Sequence, residues 1–482
     1  MRGYRHYIGW IAIVAGLAVS ATAADWPMWG GTPARNMVSA EKSLPTSWTA
    51  GTAKDDGTID RATLSPNVKW VAKLGTQSYG NATISNGQVF VGTNNAGPHF
   101  QEGQTGDFSV LLCMDETTGK LKWSDYTPKL AAGKVSDWEQ VGLCCSPTVD
   151  AVCVYIVNNR CEVVCLDAHG SGKAKSLWRF DMRDELGAFP HNMTSSSPLV
   201  VGDKLYVTTS NGVDWTEHHT PAPDAPALIC LDKTTGKLLG IEKSGICRRM
   251  FISNWSSPAY GVIAGRPTIV FGGGDGFCYG FDAEPKDGTL QERWRCDCNP
   301  PERRNKNGIA LKHDQPEGPS EIISTPVVVR NRVYVAIGHD PEGGDGLGAA
   351  VCIDATRSGD ITATGKVWSD NDIGRTVATA SIADGLVYLA DFAGVVHCMD
   401  AADGHELWHH DTDGHIWGST LLADGKLYVG NESGTVFIFQ AGKMDKLLGQ
   451  VDMKEAIYST PVAANGVLYI STVSNLYAIG GK

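Results

Sequence analysis

One pattern recurs eight times along the chain and leaves few folds open to it. The units start at Gly80, Cys145, Ser196, Ser256, Ser324, Ala378, Gly418 and Ser459. In its fullest form the unit opens Ser-Ser/Thr-Pro, as at Ser324-Thr325-Pro326 and Ser459-Thr460-Pro461, and continues with two or three apolar residues. A tight turn follows. Asn86-Gly87, Asp384-Gly385 and Asn465-Gly466 supply the positive φ angles of two-residue hairpins. An alternating strand such as Leu427-Tyr428-Val429 comes next, then a third strand ending in a hydrophobic-Asp pair. Turns such as Asp115-Glu116-Thr117-Thr118-Gly119-Lys120 lead to a fourth strand, which carries Trp123, Trp178, Trp294, Trp368 or Trp408.

Four short antiparallel strands repeated at a period of 40 residues or more describe the blades of a β-propeller. The spacings run 65, 51, 60, 68, 54, 40 and 41 residues, so the last two units are nearly bare blades and the excess elsewhere is loop. The eighth unit ends at Leu476-Tyr477-Ala478-Ile479 without a fourth strand. Asn67 to Leu74, with Trp70, has the pattern of the missing strand. The expectation is an all-β, eight-bladed propeller over residues 67–482, its ring closed by an N-terminal strand that removes the open sheet edges. An N-terminal extension covers 24–66.

Residues 1–23 read as an export signal: Arg2 and Arg5, an apolar run from Ile8 to Val19, then Ala21-Thr22-Ala23. Twelve apolar residues are too few for a bilayer span, which takes roughly 20. Without this segment the chain carries 39 basic against 53 acidic residues, a surface that repels phosphate backbones and argues against nucleic-acid binding. A monomer acting in the periplasm or outside the cell is expected. Thirteen cysteines in an exported chain would first point to disulfides. Five of them, Cys113, Cys165, Cys230, Cys352 and Cys398, instead share one repeat position and read as small buried packing residues. Cys153 and Cys165 face each other across a predicted hairpin and form a possible disulfide.

The Asp-x-x-x-Gly-x-x-x-Trp turns and Ser-x-Pro openings resemble the pyrroloquinoline-quinone (PQQ) repeat propellers. That group includes the quinoprotein alcohol dehydrogenases and the propeller lipoprotein of the outer-membrane β-barrel assembly machinery. Trp26-Pro27-Met28-Trp29-Gly30-Gly31 is similar to the N-terminal segment of large secreted bacterial members. The resemblance implies the fold over residues 25–482 and says little of activity, because the repeat is structural. It implies two classes of function. One is a non-catalytic binding or assembly scaffold that needs no cofactor or metal. The other is a PQQ- and calcium-dependent dehydrogenase of an alcohol or sugar, in which adjacent cysteines form a disulfide against the quinone. Cys144-Cys145 is the matching pair here, yet it aligns internally with Ser195-Ser196 at an ordinary blade opening.

Loop lengths identify a working face. First-to-second-strand turns are short, whereas insertions gather in the second-to-third-strand loops and the inter-blade links, which emerge together around one mouth of the channel. His191, Asn192, Trp255, Asp275, His339, Asp340, Arg375, Asp391 and Trp417 lie in or beside these loops. Their donors, acceptors and flat rings suit a protein, a peptide or a polar small molecule. Trp255 and Trp417 immediately precede blade openings, so a structural role is open to both.

Overall fold

A computed structural model describes residues 24–97, 105–131, 136–339, 343, 344 and 346–481. The expected export signal and Asp340 lie outside them. Eight blades of four antiparallel strands stand in a ring, and three of their sheets gain a short fifth strand in parallel. The first blade comprises Thr83–Ser85, Gln88–Asn94, Phe108–Asp115 and Leu121–Pro128. The eighth comprises Val462–Ala464, Val467–Ser471, Asn475–Gly480 and, from the other end of the chain, Val68–Lys73. Trp70 pairs with Ala478 and Lys73 with Asn475, so the ring closes as the sequence predicts. Among the described residues no helix is long and apolar enough to cross a membrane.

The repeat motif has a mechanical reading in the packing between blades. Cys113, Cys165, Cys352 and Cys398 each pair with the tryptophan of the fourth strand on one side and an aromatic residue of the second strand on the other. The cysteine is the small residue between two large rings, whose centroids stand about 6 Å apart. Each tryptophan then reaches the next blade. The indole N–H of Trp70 donates to Glu116 O, that of Trp123 to Ala168 O, and that of Trp408 to Gly442 O. The recurring glycine of the turn lies under the arriving ring. A Cβ on Gly119 would stand 2.6 Å from Trp70, and one on Gly236 would stand 2.5 Å from Trp178. The Asp of the motif caps the same turn, with Asp115 Oδ1 accepting from the Thr118 N–H and hydroxyl.

The extension is no loose tail. Residues 24–39 run as a strap across the channel at the short-turn end, touching the innermost strands of the blades in turn. Trp26 exchanges both backbone bonds with Ile84, and Pro27 O accepts from Val149. Pro33 O accepts from Tyr260, Ala34 O from Val328 and Met37 O from Leu422. Val38–Ser39 then pairs in parallel with Leu422–Ala423. These partners occupy the same repeat position, four residues past each opening. The inner edge of an innermost strand has no neighbouring strand, and the strap supplies the missing backbone partner. Arg35 pins it: its fully buried guanidinium donates to Trp29 O and Pro258 O at 2.8 Å, Pro198 O at 2.9 Å and Ser197 O at 3.3 Å.

In this structure no disulfide joins Cys153 to Cys165 or Cys144 to Cys145. Cys153 stands opposite Asp167, and Cys165 opposite Tyr155, so the pair sits diagonally and not face to face. At the adjacent pair the side chains diverge. Cys144 lines the channel, while Cys145 enters the core between the first two blades and its sulfur accepts from the Val157 N–H.

Candidate functional site

A cavity of about 170 Å³ occupies the central channel above the strap. Its wall follows one column of the repeat, the residue just before each opening: Tyr79, Cys144, Ser195, Trp255, Ile323, Val377, Trp417 and Tyr458. An odd-numbered step from the buried opening residue turns this side chain inward, toward the ring axis. The residue just after each opening builds a belt below the column. Asn81 N–H donates to Ser146 Oγ, Ser146 N–H to Ser197 Oγ and Ser197 N–H to Ser257 Oγ. On the far side, Thr325 N–H donates to Thr379 Oγ1, Thr379 N–H to Ser419 Oγ, and Ser419 N–H to Thr460 Oγ1. Thr460 N–H returns to Asn81 Oδ1. At the remaining junction Thr325 Oγ1 accepts the indole N–H of Trp29, the strap residue that floors the cavity. Ser and Thr recur at the openings because this belt takes a short side-chain oxygen from each blade, the amide of Asn81 standing in for a hydroxyl in the first.

The expected site residues divide into two groups. Asn192, Trp255 and Trp417 line the cavity. His191 sits behind Trp255, its ring centroid 5.9 Å away, and its Nδ1 meets Val213 O at 2.7 Å. Asp275 and Asp391 are buried in their second-to-third-strand turns. Asp391 Oδ1 accepts from the Gly394 and Val395 N–H groups, while Oδ2 accepts from Gly374 N–H and meets His397 Nε2 at 3.2 Å. Asp275 Oδ2 accepts from the Tyr279 hydroxyl at 2.6 Å and from Arg249 Nε at 3.1 Å, and burial raises its pKa. Asn158 and Asn431 bind their own turns in the same way, which marks this column as a turn cap.

His339 and Arg375 are together, but away from the channel wall. Arg375 is only 4% exposed and donates to the carbonyls of Gly343 and Gln315. It ties two inserted loops, and burial lowers its pKa. His339 lies 3.5 Å from the fully buried carboxylate of Glu321 and 5.6 Å, ring to ring, from His313. Both side chains lie in the long loops as expected, yet they are buried beneath packed insertions. The reading of the sequence passed over Tyr79, Tyr458, Trp29 and Glu321. The first two stand in the column that holds Trp255 and Trp417, so aligning the repeats one residue earlier would have found them. Trp29 belongs to no repeat, and nothing marks a single glutamate before an opening.

With fold and channel in place, likeness to known proteins carries weight. The family profile described as outer membrane protein assembly factor BamB matches residues 55–240, 306–410, 349–454 and 392–480. The chain belongs to this BamB-like PQQ-repeat family. A search of curated protein sequences finds no match. Among solved structures, BamB from Moraxella catarrhalis is 14% identical with a TM-score of 0.54, over 86% of this chain and 99% of that one. The computationally designed Ika8 protein is 13% identical with a TM-score of 0.53, over 84% and 98%. The quinohemoprotein alcohol dehydrogenase from Comamonas testosteroni is also 13% identical, with a TM-score of 0.50 over 96% and 82%. At such identities the BamB-like and dehydrogenase-like relatives share a fold with this chain and nothing finer.

Proposed function

We propose that this BamB-like propeller is a non-catalytic binding scaffold working outside the cytoplasm, with the channel and its long-loop mouth as the binding site. The lining carries the reading. Among the described residues that face the cavity there is no Arg, Lys, His, Asp or Glu. Chemistry at a quinone or a carbonyl needs a base within hydrogen-bond reach of the transferred proton, and this wall offers only hydroxyls, amide groups, a thiol and rings. The residues also do not fit PQQ with calcium. That cofactor carries three carboxylates, which call for guanidinium or ammonium partners, and a hard cation calls for several oxygen ligands with carboxylates among them. Arg375 is held by backbone carbonyls, and the carboxylates of Asp275 and Asp391 are engaged in their own turns. The family description, an outer-membrane assembly factor, is in keeping with a scaffold in the periplasm.

The test has two arms. Apo-protein mixed with PQQ and calcium should give no turnover of alcohols or sugars with an electron-accepting dye. Native mass spectrometry of material exported by its own host should show a bound species that is lost from a Trp255→Ala/Trp417→Ala variant. Turnover with PQQ, or a bound species indifferent to both tryptophans, overturns the reading.

A further inference from the structure

The channel wall is two-faced. Blades seven, eight and one bring Trp417, Tyr458 and Tyr79 together as a continuous aromatic wall. Tyr79 and Tyr458 stack with centroids 5.2 Å apart and planes within 9°, and Trp417 meets Tyr458 edge-on at 5.4 Å. The opposite side, from blades two to six, carries one ring of its own, Trp255, and shows the hydroxyls of Ser146, Ser197 and Ser257 between it and the small and aliphatic residues Cys144, Ser195, Ile323 and Val377. Each of these belt oxygens accepts one backbone N–H and keeps its own O–H to donate.

The polar handles of the tryptophans point away from the cavity. The Trp417 indole donates to Glu432 Oε2 at 3.0 Å, and that of Trp255 donates to the carbonyls of His191 and Met193 at 3.1 Å. What these rings offer is their flat faces. Burial raises the pKa of both Tyr79 and Tyr458, so each phenol stays protonated and neutral. The wall therefore combines apolar area on one side, hydroxyl groups that donate and accept on the other, and no formal charge between them.

We infer that the channel binds an uncharged saccharide unit, one pyranose ring lying with its C–H face against Trp417, Tyr458 and Tyr79 and its hydroxyl edge toward the serine belt. The inference rests on the channel being the working site. A pyranose has the matching asymmetry: one face of C–H bonds, which the negative face of an aromatic ring attracts, and a rim of groups that each donate and accept. An anionic ligand would lose its hydration without meeting a counter-charge. An organic cation would find the rings but no facing carboxylate, because Glu432 lies behind Trp417 and holds its indole. A cavity of about 170 Å³ compares with an engineered cavity of about 150 Å³ that takes up a benzene ring, so its scale suits a single ring.

The experiment uses the exported chain with glucose, N-acetylglucosamine and maltose as neutral probes, glucuronate as the anion and tetramethylammonium as the cation. Saturation-transfer NMR should show magnetisation passing from protein to the ring C–H protons of at least one neutral sugar, with a matching change in tryptophan fluorescence. A Tyr79→Ala/Trp417→Ala variant should weaken binding about a hundredfold, since two stacking partners are each worth roughly tenfold. Trp417→Phe, which keeps a ring, should restore most of it even if the double variant melts early. Should tetramethylammonium alone bind, with the same dependence on Trp417, the saccharide assignment falls and the channel stands as the working site. Should no probe bind while the exported protein still carries a species that depends on Trp255 and Trp417, again only the ligand class is wrong. Should neither be seen, both readings fall.

Discussion

Arg35 is where the strap can be cut without touching a blade. Its three nitrogens donate to four backbone carbonyls, and the guanidinium is fully buried, with its pKa drawn down to about 9 by that burial. In Arg35→Ala, Pro198 O keeps the Thr148 hydroxyl as a partner, whereas Trp29 O, Pro258 O and Ser197 O lose this donor. At about 1–1.5 kcal/mol for each buried acceptor left short, the loss comes to roughly 3–5 kcal/mol. Freeing the chain from burying a guanidinium offsets part of this, and a net loss of about 3 kcal/mol is expected. Against a total stability on the order of 5–15 kcal/mol that is a large fraction. Urea unfolding should show it as a lowered midpoint at an unchanged m-value. Limited proteolysis should cut the variant within residues 24–39 before any blade is cleaved. Arg35→Lys should recover less than half of the loss, because one ammonium cannot span carbonyls from three segments as the planar fork does. A cost below about 1 kcal/mol, with the strap still protected, would refute the idea that this residue holds the floor of the channel.

Two further predictions concern other parts of the ring. Trp70→Ala removes the fully buried anchor of the closing strand and should cost about 3–5 kcal/mol by chemical denaturation. Deleting residues 68–73 should instead expose the edge of Asn475–Gly480 and drive aggregation, and a deletion variant that stays monodisperse would count against this closure. In blade six, burial works against the charged form of His397, but hydrogen bonds and charge from Asp391 and Glu406 outweigh it and raise its pKa. Burial likewise opposes ionised Glu406, while His397 and His409 bring its pKa down. A raised histidine pKa gives stability that is full below the unfolded value of about 6.5 and is lost as pH rises through the folded value. The lowered carboxylate contributes above its unfolded value of about 4.3, so the pair is strongest in the window between. The stability gap between the parent protein and His397→Gln should peak there and shrink above it; a gap that does not change with pH would show that the imidazole is neutral throughout.

The fold was open to reading because the propeller repeats its physics. Most blades repeat the same small residue between two rings, and several repeat the glycine beneath the arriving tryptophan and the turn aspartate, so imperfect copies reinforce one another. Even the closing strand shows itself, since Trp70 carries the fourth-strand signature far from its partner Ala478. The strap was hidden for the opposite reason. Residues 24–39 follow no period; they are shaped by the inner edges of blades separated by hundreds of residues, and only the three-dimensional ring places those edges in a row.

The site shows how the same logic misleads. Loop length pointed to the long-loop mouth, and Asn192, Trp255 and Trp417 do face the channel. Choosing polar loop residues also gathered Asp275 and Asp391, whose carboxylates are consumed by their own turns, and Arg375, whose donors join two insertions. In a sequence a charged residue in a long loop looks available. In a propeller, however, each second-to-third-strand turn leaves backbone N–H groups that strand pairing cannot satisfy, and an Asp or Asn at that corner is the cheapest acceptor. The groups free to meet a ligand are those at the position before each opening, which the fold turns toward the axis whatever their chemistry. That column carries no turn-capping duty, although Trp255 and Trp417 also hold neighbouring segments through their indoles. Its mixture of Tyr, Trp, Cys, Ser, Ile and Val, four of the eight aromatic and none charged, is why the lining and not the loops carries the functional argument.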